Sequence, residues 1–404
     1  MKFVKWPDRY GLSWPGVWFL GAVFFAPFSL PAGRALLAIA LLGILLKRKS
    51  IPTVLGRPFW LWMAYLLIAL LASWQGLDPG SSLGDCNKLL WFMGIPVAAT
   101  LVTNRRRTVQ VLTAYVCGSL VRSLDILIVR MVAARRAANG DFLWQVIDRG
   151  SMTHGQVLLL ALTAATGLFL LRNLQKHTWS NKGRYAAAFL LLLAALLANF
   201  KRGSWAATAC VLGCFTLLSG RWKWFCGLVL LLALTATLPS VQHRIRQLGP
   251  ELDLRHGGRL VMWTQIAPEL LRQHPQGVGF RGVQESVMQE TARALGVRVE
   301  EGRNHLHSNF VEIPVTLGWV GLIVYLMWMA SALHAGLATT WSLRRNDPEG
   351  GVLALTCSMM LLGLILNGLV EYNMGDAYLI LMYGILIGIL GRGAVPFQDA
   401  AVKT

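Results

Sequence analysis

The chain has 404 residues, of which 55% are hydrophobic and only 14% charged, and it carries a formal net charge of +19. Its apolar residues recur in runs of roughly 16 to 24, long enough to cross a bilayer, which excludes an ordinary soluble domain. The positive charge sits mostly in short connectors, as the positive-inside rule requires, and needs no nucleic acid to explain it.

From Met1 to Tyr10 no small-residue cleavage site precedes the first apolar run, so the first helix is expected to be its own insertion signal. Spans are expected at 13 to 31, 32 to 46, 58 to 75, 86 to 103, 108 to 132, 152 to 171, 185 to 200, 203 to 219, 224 to 239, 309 to 333, 352 to 370 and 377 to 391. These about 12 transmembrane helices describe an all-α polytopic membrane protein, one integral membrane domain over 1–404. With strict alternation, the connectors holding Lys47 to Lys49, Arg105 to Arg107, Arg172 to Arg184, Arg221 to Lys223 and Arg344-Arg345 share one side. That side is cytoplasmic, as are both termini. No internal repeat is visible, so the inverted repeats of many transporters are missing.

Charges inside spans are costly and need a reason. Arg122 and Asp125 are three residues apart and read best as a structural ion pair on one helix face, with Arg130 further along. His154 opens the sixth span and reads as an interfacial residue or as one facing the outer cavity. Lys201 and Arg202 stand between two apolar runs with almost no loop around them. They either snorkel to headgroups or, with Arg202 turned inward, grip a lipid-linked phosphate. Cys86, Cys117, Cys210, Cys214, Cys226 and Cys357 lie in or beside spans and suit packing better than disulfides.

Residues 240–308, between the ninth and tenth spans, form the one long polar stretch, with nine Arg, five His and no Lys. Apolar spacing predicts short helices over Gln242 to Leu248, Arg259 to Arg272 (burying Leu260, Trp263, Ile266 and Leu270) and Val283 to Leu295, stopped by Gly296. Gln276 to Gly282 reads as a glycine turn. The stretch is thus expected to fold as a helical cap on the outer face. Arg offers a planar fork to phosphate oxygens, so the bias fits a pyrophosphate or anionic-lipid site, although seven Asp and Glu nearly balance the arginines. Glu251 and Asp253, with Arg255, His256 and Arg259 close behind, read as a salt-bridged turn rather than a cation site.

His305 and His307 flank Leu306 just before the tenth span. Neither has the spaced partners a metal needs, and a neutral His suits proton abstraction from a hydroxyl. His307 is the better candidate, since Ser308, Asn309 and Glu312 follow it and are placed to orient the ring. Arg303 adds a cation beside it.

His307-Ser308, followed by Gly318 and Gly321, resembles the pattern of bacterial O-antigen ligases, in which a His closes the large periplasmic loop before a Gly-containing span. Arg259 with Trp263, and Pro275 through Gly277 and Gly279 to Phe280, look like an Arg-Trp pair and a glycine turn of the wider polymerase and ligase superfamily. Arg202-Gly203-Ser204-Trp205 is similar to a membrane-hairpin element, and Glu371-Tyr372 to an acidic residue at the end of the penultimate span. The ligase pattern of a basic residue with Leu four later fits Arg244 and Leu248 literally, whereas Arg259 has Trp263 there.

This resemblance implies a GT-C-like glycosyltransferase in the bacterial inner membrane, its active site facing the periplasm. It would move O-antigen polysaccharide from undecaprenyl pyrophosphate to a sugar hydroxyl of lipid A-core, completing lipopolysaccharide without metal or cofactor. His307 is then the general base of an inverting displacement, and Arg202, Arg259, Arg303 and Lys201 hold the donor pyrophosphate. Ser308, Asn309, Glu312, His305 and His154 support them. An O-antigen polymerase and a protein O-oligosaccharyltransferase use the same donor chemistry and remain alternatives, as does a membrane transporter from another class.

Overall fold

A computed structural model describes residues 13–47, 56–136, 151–175, 179–246, 249, 254 and 257–399. Glu251, Asp253, Arg255, His256 and Leu248, and the side chains of Arg130 and Arg244, lie outside the described residues. The chain runs through α1 (Trp14–Phe25), α2 (Leu30–Leu46), α3 (Gly56–Trp74), α4 (Pro79–Asp85), a 3-10 segment Cys86–Met93, α5 (Gly94–Leu101), α6 (Arg105–Arg136), α7 (Met152–Leu174), α8 (Trp179–Ala198), α9 (Arg202–Leu218), α10 (Trp222–Ala236) and α11 (Pro239–Arg246). After them come α12 (Arg259–Val261), a π-helical segment Met262–Ile266, α13 (Ala267–Gln273), α14 (Glu285–Leu295), α15 (Asn309–Leu343), α16 (Pro348–Asn367) and α17 (Ala377–Leu390). Among the described residues there is no strand.

Five helices, α3, α6, α7, α15 and α16, are long and apolar enough to cross a membrane, and α1, α2, α8, α9, α10 and α17 are shorter apolar helices. The span expected over 86 to 103 is a 3-10 segment continuing into α5. Helices α7, α16 and α17 are apolar all round and accordingly buried all round, and the others pack about them. In α6, Arg122 pairs with Asp125 at 2.8 Å and donates to the carbonyls of Pro27 and Phe28. It ties α6 to the α1–α2 turn, a structural role.

The cap has its own apolar core, built from Val261, Met262, Ile266, Leu270, Val278, Val283, Met288, Ala292 and Leu306 among others. The helix expected from Arg259 to Arg272 exists, but it is α12, the π-helical segment and α13 in series. Of the four side chains expected to be buried, Ile266 and Leu270 are, whereas Leu260 and Trp263 are only half-buried and Val261 and Met262 are buried beside them. Helix α14 ends where expected, at a left-handed Gly296.

The glycine turn is where cap and membrane helices lock. Helix α15 breaks at Gly318, whose φ of 70° and ψ of 176° are not helical, so the carbonyls of Val315 and Thr316 lose their partners one turn on. The N–H groups of Val278 and Gly279 donate to them, at 2.9 and 3.0 Å. Gly277 runs so close to α15 that a Cβ there would stand 2.4 Å from the Thr316 carbonyl oxygen. From the other side, Ser73 of α3 accepts from the Phe280 N–H at 3.0 Å, and the Leu77 N–H donates to the Val278 carbonyl at 3.1 Å.

Candidate functional site

The site forms where the cap returns to the membrane. Leu306 is gripped from both sides: the Trp263 indole donates to its carbonyl at 2.6 Å, and its N–H donates to Glu312 Oε2 at 2.6 Å. This fixes the backbone between the two histidines. His307 has a φ of 54°, a left-handed conformation disfavoured for a residue with a Cβ. Its N–H donates to Nδ1 of His305 at 3.1 Å, and the two rings are 4.0 Å apart.

The His307 side chain is only 9% exposed. Nη1 of Arg303 is 3.0 Å from its Nε2, and Oε1 of Glu371 is 3.5 Å from its Nδ1. A guanidinium only donates, so Nε2 carries the lone pair and the ring proton sits on Nδ1, toward Glu371. At 3.5 Å that contact is longer than an ordinary N–H···O bond, and Nδ1 has no closer acceptor. It acts as a charge–dipole contact that orients the ring.

Glu371 is held in turn by Arg259, whose Nη2 donates to the same Oε1 at 2.7 Å while Nη1 donates to the Val370 carbonyl at 2.6 Å. The cap thus grips the segment after α16 through a nearly buried ion pair, with side chains 19% and 7% exposed. Burial lowers the basicity of His307, and Glu371 only partly offsets this, so the ring is neutral near pH 7. His305 is pushed down to about 3 by burial and then by His307. Burial would raise the Glu371 carboxyl, but His307 and Arg259 outweigh it and hold the group below the usual range. A neutral imidazole whose Nε2 lone pair meets only the Arg303 guanidinium, with an ionised carboxylate behind Nδ1, is the arrangement of a general base.

Of the residues singled out by sequence, the structure brings His305, His307, Arg303 and Arg259 into one contact network. Ser308, Asn309 and Glu312 hold backbone rather than the ring. Ser308 Oγ caps α15 by accepting from the Phe310 N–H, and Glu312 holds Leu306. Asn309 locks the 368–376 segment, donating to Asn373 Oδ1 at 2.6 Å and accepting from the Asn373 N–H at 2.9 Å. Glu371, known in the sequence only as part of a resemblance, is the carboxylate that faces the ring.

Lys201 and Arg202 come from a tight α8–α9 hairpin, turned at Phe200 with a φ of 54° and pinned by the Trp205 indole donating to the Leu196 carbonyl at 2.8 Å. The start of α9 abuts the segment that carries Glu371. A Cβ on Gly203 would lie 2.7 Å from the Val370 side chain, and Asn367 donates to Ser204 Oγ at 3.3 Å. His154 sits in the first turn of α7, capped by Ser151, beside that same hairpin, since a Cβ on Gly155 would meet Ser204 Oγ at 2.3 Å. An apolar cleft of about 390 Å³ between α7, α8, α9 and α10 has Tyr185 as its one titratable lining residue and holds no part of this chemistry. Among the described residues, no three His, Cys, Asp or Glu side chains group to hold a metal ion.

Residues 187–326 match the family model described as O-antigen ligase, which supports assignment to that family. The match covers about a third of the chain, from α8 into α15, and includes Arg202, Arg259, Arg303 and His307 but not Glu371. A comparison with curated proteins finds none that matches the chain. The apolar helices and the family match support a membrane enzyme of O-antigen ligase or related glycosyl-transfer type.

Proposed function

We propose that the protein ligates O-antigen polysaccharide from undecaprenyl pyrophosphate onto a sugar hydroxyl of lipid A-core, at the periplasmic face of the bacterial inner membrane. The observation that carries this reading is the buried His307, its Nε2 turned to Arg303 and its Nδ1 to Glu371. In the reaction, Nε2 takes the proton of the acceptor hydroxyl as its oxygen attacks the donor's anomeric carbon. The bond from that carbon to the pyrophosphate oxygen breaks on the opposite face, so the configuration inverts. Glu371 stabilises the imidazolium as it forms.

Pyrophosphate gains charge as it leaves, and Arg202 with Lys201 meets it from the α8–α9 hairpin. Arg259 spends two of its donors on Val370 and Glu371 and offers the remaining ones. In this account the arginines carry the charge compensation and no step runs through a metal. Arg303 caps the Nε2 lone pair, so the acceptor hydroxyl displaces it on binding. The test is transfer of a labelled, undecaprenyl-pyrophosphate-linked glycan to lipid A-core by the purified protein in nanodiscs, with and without chelator. A shifted lipid A-core band in both conditions supports the reading. Transfer to a second lipid-linked glycan in place of lipid A-core, or activity only with added divalent ion, overturns it.

A further inference from the structure

The cap carries a cleft of about 840 Å³ between α14 and the non-helical segment 297–301 that follows the Gly296 stop. Gln289, Ala292, Arg293 and Gly296 line it at helical spacing, so one face of α14 is its wall. Ala292 and Val299 also line it and belong to the buried cap core, which gives the cleft a fixed apolar strip. The rest of the lining is polar and electrically balanced: Gln289, the guanidiniums of Arg293 and Arg298, and the carboxylates of Glu300 and Glu301. Among the described residues, the side chains of Arg293, Arg298 and Glu301 make no hydrogen bond or ion pair. Opposite charges thus share one cleft without pairing. Gln289 makes a single long bond, its amide donating to the Val299 carbonyl at 3.4 Å.

The cleft is joined to the site by two side chains. Nε and Nη2 of Arg303 both donate to Glu300 Oε2, at 3.0 Å for Nε, and Nη1 of the same guanidinium is 3.0 Å from His307 Nε2. The catalytic nitrogen therefore faces Arg303, and behind Arg303 stands Glu300, which lines the cleft. Glu300 is 45% exposed, and its Oε1 is left for a ligand.

The lining selects the occupant. A phosphate calls for an excess of cations, which two carboxylates cancel here, and a lipid tail calls for apolar walls. A sugar ring offers hydroxyls that both donate and accept, together with apolar C–H edges. Guanidiniums donate, carboxylates accept and the Gln289 amide does both, while Ala292 and Val299 supply the apolar strip. The volume lies within the roughly 300–1,000 Å³ that holds a drug-sized ligand, enough for more than one sugar ring. We infer that this cleft is a saccharide subsite, holding the chain of a glycan substrate while its reacting end lies at His307. The inference rests on the proposed ligase reading, in which the acceptor's core sugars and the donor's O-antigen chain meet at Nε2. A chain that leaves Nε2 on the Arg303 side passes Glu300 into the cleft.

The experiment uses full-length protein in nanodiscs and two probes, the core oligosaccharide and the O-antigen polysaccharide, each cleaved from its lipid and titrated separately by calorimetry. The wild type is expected to bind one of them. Gln289→Ala and Arg298→Gln should each weaken that Kd by about tenfold, whereas Arg272→Gln, at an exposed arginine elsewhere on the cap, should leave it within about twofold. In the transfer assay, the KM of the substrate carrying that glycan should rise by the same factor in both cleft variants, with kcat within about threefold. Binding of the core oligosaccharide assigns the subsite to the acceptor and binding of the polysaccharide assigns it to the donor, and either supports the inference. Failure of the wild type to bind both probes overturns it. So do constants that the two cleft variants leave unchanged, or an equal loss from Arg272→Gln. Probe binding needs no transfer, so a wild type that binds a glycan through Gln289 and Arg298 yet transfers nothing contradicts the ligase reading alone. Normal transfer with constants indifferent to both cleft variants overturns the subsite alone.

Discussion

Replacing Glu371 by Gln keeps an acceptor for Arg259 but removes the negative charge behind His307. At 3.5 Å, an imidazolium and a carboxylate attract by about 5 kcal/mol at an effective dielectric of about 20. Arg259 bonds to the same oxygen and neutralises part of that field, and the imidazolium is only partly formed in the transition state. We expect about 2 kcal/mol of lost transition-state stabilisation, or roughly a 30-fold fall in kcat. The carboxylate also opposes the lowering of His307 basicity by burial, so its loss lowers that basicity further. Activity needs neutral His307 and is lost as pH falls through its pKa, so the acid limb of Glu371→Gln moves to lower pH. The assay is a pH series of glycan transfer by nanodisc-embedded protein of confirmed thermal stability. A folded variant with wild-type kcat and an unmoved acid limb refutes the assignment of Glu371 to the ring.

Arg303→Ala removes a positive charge that lowers His307 basicity, so the acid limb should move to higher pH, opposite in sign to Glu371→Gln, and a limb moving down contradicts the capping role. The His305 value of about 3 lies well below the ordinary imidazole value near 6.5, so between those pH values the unfolded chain holds a proton that the folded cap does not. That contribution is full above the ordinary value and lost as pH falls toward about 3. Thermal unfolding should therefore show less acid sensitivity in His305→Asn than in the wild type, and equal slopes refute the burial argument. Gly277→Ala drives a Cβ against the Thr316 carbonyl at a φ of 94° and should cost about 3 kcal/mol. Gly302→Ala, at a φ of 74° with nothing within 4 Å, should cost about 1 kcal/mol. Similar melting shifts for the two would contradict the turn-to-kink contact.

Much of this was legible in apolar runs and glycines. The helical cap, its Gly296 stop and the turn at Gly277 and Gly279 follow from local rules, because local backbone needs select the residue. His307 stood out through its chemistry and its place before a span. What the sequence hid depends on distant partners. Glu371 reaches His307 only because Asn309 and Asn373 lock the start of α15 to the segment after α16. Arg259 looked like a phosphate ligand, yet two of its donors are committed to Val370 and Glu371. In the Arg259 helix apolar spacing picked out the buried Ile266 and Leu270 but not Val261 and Met262, and it carries no signature of the π turn over Met262–Ile266.

The central claim is that His307 Nε2 removes the acceptor proton, and His307→Gln tests it most directly in the transfer assay with lipid-linked glycan and lipid A-core. The account predicts at least about a hundredfold loss of kcat with donor binding retained, since general-base catalysis contributes about 10²–10⁴. Transfer at the wild-type rate by the folded variant would contradict it.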